Sequence, residues 1–163
     1  MADSGSIVQW ATYGVFAADS LALGVVDLRT RRLPSALLYP LYGTGLIGLG
    51  TVALLQHRQP ALAQAVVAMA LVAALFAAVW WWNPQGLGFG DVRLAGLLGL
   101  YLGWWGAPAV FAGLFVACVA AAVAAVAIIV VSRTRGHAWR KKTLPYGPFL
   151  LCGAWVAIVW QWR

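Results

Sequence analysis

Four acidic side chains occur in the 163 residues, all of them aspartate: Asp3, Asp19, Asp27 and Asp91. Two of these can do chemistry together. Asp91 closes the stretch Gly88-Phe89-Gly90-Asp91, between an apolar run that ends in Trp80-Trp81-Trp82 and another that begins at Val92. Asp27 closes the first apolar run in the same way. A carboxylate at the edge of a hydrophobic segment is costly unless it faces a bundle interior or a wet cavity, so its default reading is functional. Two carboxylates within reach of each other do not both ionise readily, which leaves an acid and a base in one site. The charged member can take a proton from water while the neutral member polarises a carbonyl, and amide hydrolysis follows without a metal or a covalent intermediate. Gly88 and Gly90 remove side chains beside Asp91, so that a second backbone can come close, and they open dihedrals closed to other residues.

The remaining chemistry-bearing residues point elsewhere. Asp19 lies eight positions before Asp27, two helical turns deeper, and is read as a structural hydrogen-bonding group. Asp3 is a solvated terminal residue. Cys118 and Cys152 stand inside apolar runs with no Cys-x-x-Cys pattern, and both read as small buried packing residues. No cluster with metal-ligand spacing is present, and no cofactor is implied. No serine or cysteine stands with a plausible base, and His57 and His137 fall in loops.

The elements that must position the two acids are membrane helices. The chain is 63% hydrophobic and 9% charged, whereas soluble domains carry about 25% charged residues. Six apolar segments run over 7–26, 35–55, 61–82, 92–105, 109–131 and 147–162. A spanning helix needs about 20 residues, so the fourth and sixth are short. The fold class is an all-α bundle of six transmembrane helices forming one domain, 1–163. The net charge of +7 does not mark a nucleic-acid binder, because the basic residues sit in short loops between apolar runs. Alternating the loops places nine basic residues on one side (Arg29, Arg31, Arg32, Arg93, Arg133, Arg135, Arg140, Lys141 and Lys142) and two, Arg58 and Arg163, on the other. Basic loops stay in the cytoplasm, so both termini are expected outside. Asp27 and Asp91, 64 positions apart, then share the cytoplasmic face. The first residues contain no basic n-region, so no cleavable signal peptide is expected there.

Two further patterns bear on packing. Gly96, Gly99 and Gly103 recur at helical spacing in the fourth segment, which makes that helix the central one, since small residues allow close helix crossings in lipid. Its shortness should hold Asp91 below the headgroups. The tryptophans at segment ends, Trp80–Trp82, Trp104, Trp105, Trp160 and Trp162, read as interfacial anchors. The basic stretch 132–144 and the Arg31-Arg32 pair read as contacts to anionic membrane lipids.

The motifs resemble a known family. Gly88-Phe89-Gly90-Asp91-Val92-Arg93-Leu94 resembles the GxGDxK/RL signature of the type IV prepilin peptidases, which are GxGD aspartyl membrane proteases. Asp27-Leu28-Arg29-Thr30-Arg31-Arg32-Leu33-Pro34-Ser35 is similar to the family's first motif, with Ser35 in place of the usual Asn or Asp. Leu144-Pro145-Tyr146-Gly147-Pro148-Phe149 resembles its Pro-aromatic-Gly-Pro turn before the last helix. The resemblance implies that Asp27 and Asp91 are the catalytic pair. It also implies that the substrates are prepilins or pseudopilins, cut after the glycine that ends a basic leader, at the inner membrane of a bacterium. It corresponds to the short form of the family, without the N-terminal zinc and methyltransferase domain. The same pair could serve a signal-peptide-peptidase-like cleaver of transmembrane helices. A proton-coupled transporter or an inactive pilus-assembly scaffold is the alternative outside proteolysis.

Overall fold

The computed structural model describes residues 4–30, 35–134 and 146–162. Arg31, Arg32, Leu33, Pro34, Asp3, His137 and the basic residues from Arg135 to Lys142 lie outside the described residues, and so do the readings attached to them. The described residues form six helices: α1 Ser4–Thr30, α2 Ser35–Leu55, α3 Gln59–Trp82, α4 Phe89–Gly103, α5 Ala107–Thr134 and α6 Gly147–Gln161. Four of them, α1, α2, α3 and α5, contain stretches long and apolar enough to cross a membrane, and α6 is a shorter apolar helix. The helix starts follow local chemistry. Pro60 stands in the first turn of α3 and Pro148 in that of α6, where the missing N–H leaves no bond unmade.

The helices alternate in direction. One end of the bundle gathers Asp27 with Gly147, Tyr39 with Arg93, and Trp80 with Phe89. The opposite end gathers Gly5 with Gln56, Trp10 with Trp162, and Arg58 with Trp104.

Helix α4 is the core element. From Val92 to Gly103 every residue except Arg93 is buried. It packs most extensively on α3, and it also touches α2, α5 and α6. Its glycines make this possible. A Cβ on Gly99 would lie 2.8 Å from the Ala68 carbonyl oxygen and 3.0 Å from the Met69 Cα. One on Gly103 would lie 2.8 Å from the Ala65 Cα, and one on Gly96 2.6 Å from the Tyr42 hydroxyl. The α5–α6 pair uses the same device: a Cβ on Gly153 would run into the Gly113 carbonyl oxygen.

Two expectations about facing are corrected. Cys118 and Cys152 are exposed on the outside of the bundle, not packed within it. Both helices are apolar on every side, so a small apolar residue serves a lipid-facing surface as well as a core. Trp81 and Trp82 are exposed as anchors should be, but Trp104 is 1% exposed and lies under the Arg58 guanidinium, 5.2 Å from its ring centroid. Its position at the end of α4, the most enclosed helix, buries it.

Gly99→Ala should force α3 and α4 apart and cost about 1–3 kcal/mol, as overpacking does. Gly50→Ala, whose new methyl group meets nothing within 4 Å, should leave stability unchanged or raise it. Thermal unfolding of both variants in one detergent measures the difference.

Candidate active site

Asp91 stands in the first turn of α4, behind the N-cap Gly88. A carboxylate there faces the positive end of the helix dipole. The Asp91 backbone N–H donates to the Gly88 carbonyl at 3.0 Å, which closes the turn. Gly88 has φ −73° and ψ 142°, an extended conformation open to any residue. Its dihedral freedom is therefore not used, and the missing side chain is what matters. A Cβ on Gly88 would lie 3.3 Å from Asp91 Oδ2. Gly88 is exposed and Gly90 half-buried.

The next side chain fixes the start of α4 from outside. The Arg93 guanidinium lies 4.8 Å from the Phe89 ring centroid and 5.4 Å from that of Tyr39. Phe89 meets Trp80 edge-on at 5.2 Å. The Tyr42 hydroxyl donates to the Arg93 carbonyl at 2.6 Å. Cation–π contacts gain strength when desolvated, so this cluster ties α2, α3 and the first turn of α4 together at the level of Asp91.

Asp27 comes from the last turn of α1 and is 5% exposed. Its carboxylate lies against the first residue of α6: a Cβ on Gly147 would be 2.5 Å from Asp27 Oδ2 and 3.1 Å from Cγ. That oxygen is buried and has no hydrogen-bond partner among the described residues. Such groups are uncommon and costly, and they call for a chemical reason. Gly147 is the residue that sequence reasoning left out of the site. Its signal was present in the Tyr146-Gly147-Pro148 turn, but only the fold reveals that the glycine is bare because a carboxylate occupies the place of its side chain.

The two acids are brought to the same end: Asp91 lies beside Gly88 at the start of α4, Asp27 lies against Gly147 at the start of α6, and α4 packs on α6. Asp19 does not join them. It is half-buried on α1, two helical turns from Asp27. Among the described residues, no group of three or more His, Cys, Asp or Glu side chains gathers to hold a metal.

Comparison with known proteins matches this arrangement to a family. The prepilin leader peptidase/N-methyltransferase of Burkholderia pseudomallei (strain 1026b) is 35% identical over 149 residues, which cover 88% of this chain and 44% of that protein. The protein of the same name from Aeromonas salmonicida (strain A449) is 32% identical, over 86% of this chain and 46% of its own length. That from Xanthomonas campestris pv. campestris is 28% identical, over 93% and 51%. The chain thus spans about half the length of the curated relatives it matches. No solved structure matches it. The profile of the type IV leader peptidase family matches residues 14–130, a stretch that holds both Asp27 and Asp91, and the chain belongs to that family.

Proposed function

We propose that the chain is a membrane aspartyl endopeptidase, organised as one domain over 1–163, that removes the leader of prepilin or pseudopilin substrates. In this reading Asp27 and Asp91 are the catalytic residues. What supports it is their placement: two carboxylates 64 positions apart stand at one end of the bundle, one beside the start of α4 and the other against the start of α6. Membership of the leader peptidase family and the names of the relatives supply the substrate class. The reading covers the leader-peptidase half of those double names.

One carboxylate, ionised, accepts a proton from a water molecule as the water oxygen bonds to the scissile carbonyl carbon. The other, protonated, donates a hydrogen bond to the carbonyl oxygen as negative charge develops there. On collapse of the tetrahedral intermediate the C–N bond breaks, and the leaving amine takes the proton that the first carboxylate accepted from water. Like charges close together do not both ionise readily, and that divides the labour between the two carboxylates. Gly88 and Gly90 would receive the substrate backbone in extended form, since a peptide bond must leave its helix before water can attack it. The excess of basic residues in the loops at this end supports a cytoplasmic orientation in a bacterial inner membrane, where a positively charged leader would emerge from the bilayer. The cut then falls after the leader's final glycine.

Co-expression with a prepilin, followed by intact mass, tests the proposal. Asp27→Asn and Asp91→Asn should each lower leader removal by at least about 10²-fold, with thermal unfolding unchanged within a few degrees. Cleavage retained by either variant would overturn the pair. Gly147→Ala places a methyl group 2.5 Å from Asp27 Oδ2, so it should displace that carboxylate and lower kcat while leaving KM and the melting temperature nearly in place.

A further inference from the structure

The first turn of α4 has little of its own to hold it. Its N-cap, Gly88, offers no side chain to the helix N–H groups, and the bond that closes the turn runs from the Asp91 N–H to the Gly88 carbonyl. Helix ends of this kind fray unless the rest of the fold grips them. The grip begins two residues beyond Asp91. The Tyr42 hydroxyl of α2 donates to the Arg93 carbonyl at 2.6 Å. The Tyr39 ring, one turn earlier on α2, lies 5.4 Å from the Arg93 guanidinium. Backbone and side chain of one residue are thus held by α2.

The Tyr42 contact depends on a missing side chain. Its hydroxyl sits over Gly96, where a Cβ would lie 2.6 Å from the oxygen. That Cβ would also lie 3.1 Å from the Ala73 Cβ and 3.7 Å from the Met69 carbonyl oxygen, so α2, α3 and α4 meet at this point. Glycine at 96 is what admits the hydroxyl. The bond is not needed to satisfy the helix. In an α-helix the Arg93 carbonyl already faces the N–H four residues on, and the hydroxyl takes its second lone pair. What the hydroxyl adds is a fixed point on the α4 backbone, about 3 Å along the helix axis from Asp91.

We propose that Tyr42 is a positioning residue for Asp91: its hydroxyl, seated in the Gly96 notch on the Arg93 carbonyl, sets the depth and rotation of the first turn of α4, and with them the aim of the carboxylate. The proposal rests on the peptidase reading and adds a residue that acts through the α4 backbone. A misplacement of about 1 Å at a reacting group can cost about 10²-fold in rate, so a small shift of this turn is felt in the chemical step. Binding of a long substrate depends less on the aim of one side chain. The signature is a fall in kcat with KM held.

The test compares the native protein, Tyr42→Phe, Gly96→Ala and the double variant in lipid nanodiscs. Cleavage is followed on a synthetic peptide with a lysine-rich leader, one glycine and an apolar helix of about 20 residues. Tyr42→Phe should lower kcat about tenfold, with KM within about twofold and the melting temperature nearly in place. Gly96→Ala, whose methyl group displaces the hydroxyl, should give a similar loss. The double variant should lose no more than either single one, because without the hydroxyl the nearest neighbour of the new methyl group is the Ala73 Cβ at 3.1 Å. Additive losses, a kcat for Tyr42→Phe within about twofold of native, or a loss that follows the melting temperature would each overturn the proposal and leave the peptidase reading intact. Hydrogen exchange read by mass spectrometry tests the anchor without turnover. Tyr42→Phe should speed exchange at residues 91–93 at least about fivefold, while α4 from Leu98 onward keeps its native rate. Unchanged exchange at 91–93 would overturn the anchor. Faster exchange there, in a protein whose native form cleaves nothing, would uphold the anchor and remove the peptidase reading.

Discussion

A helix of 15 residues that carries Asp91 and Arg93 at its start cannot stand alone in hydrocarbon. At 1.5 Å per residue it measures about 22 Å, against an apolar layer of about 30 Å, and its first turn carries two charges. Protein must surround it. This constraint decides how the rest of the chain is arranged. Glycines at 96, 99 and 103 bring the α3 backbone against α4, at separations that a single methyl group would spoil. In lipid there is no hydrophobic drive to push helices together, so such close van der Waals contact supplies the cohesion. The half-buried Arg93 guanidinium lies against the Phe89 and Tyr39 rings. Once α4 is enclosed, Asp91 is held at the depth of its first turn.

The second acid arrives by an independent route. Asp27 belongs to the end of α1, yet its immediate neighbour is the start of α6. The electrostatics of the site thus depend on three helix termini and on two absent side chains. Gly88 leaves space over one carboxylate and Gly147 over the other. Neither glycine has a backbone conformation restricted to glycine, since among the described residues the positive-φ glycine is Gly106, at 97°. Both act as windows through which a polar oxygen approaches backbone.

Much of this was legible from residue types. Polar and charged side chains are rare in the chain, so the places of Asp27 and Asp91 were informative, and the alternation of apolar runs set both at one end. The glycine spacing on α4 announced a close crossing for the same reason: little else on an apolar helix carries information. The facing of apolar residues was not legible. In a soluble protein the buried face is apolar and the outer face polar, but a membrane helix is apolar on both. Cys118 and Cys152 could thus be assigned inward when they lie outward, and Trp104 could be counted as an anchor when it is core. Gly147 escaped notice because its role is defined by a side chain 120 positions away.

The helices are not packed with equal strength around the site. The α3–α4 and α5–α6 pairs interlock through glycines, whereas α3 and α5 meet only slightly. Asp91 stands on the first pair and the glycine against Asp27 on the second, and α4 joins the two by packing on α5 and α6 as well. The wall over each carboxylate is thus carried by a different glycine crossing, Gly99 and Gly103 for the helix that bears Asp91 and Gly153 for the helix that bears Gly147.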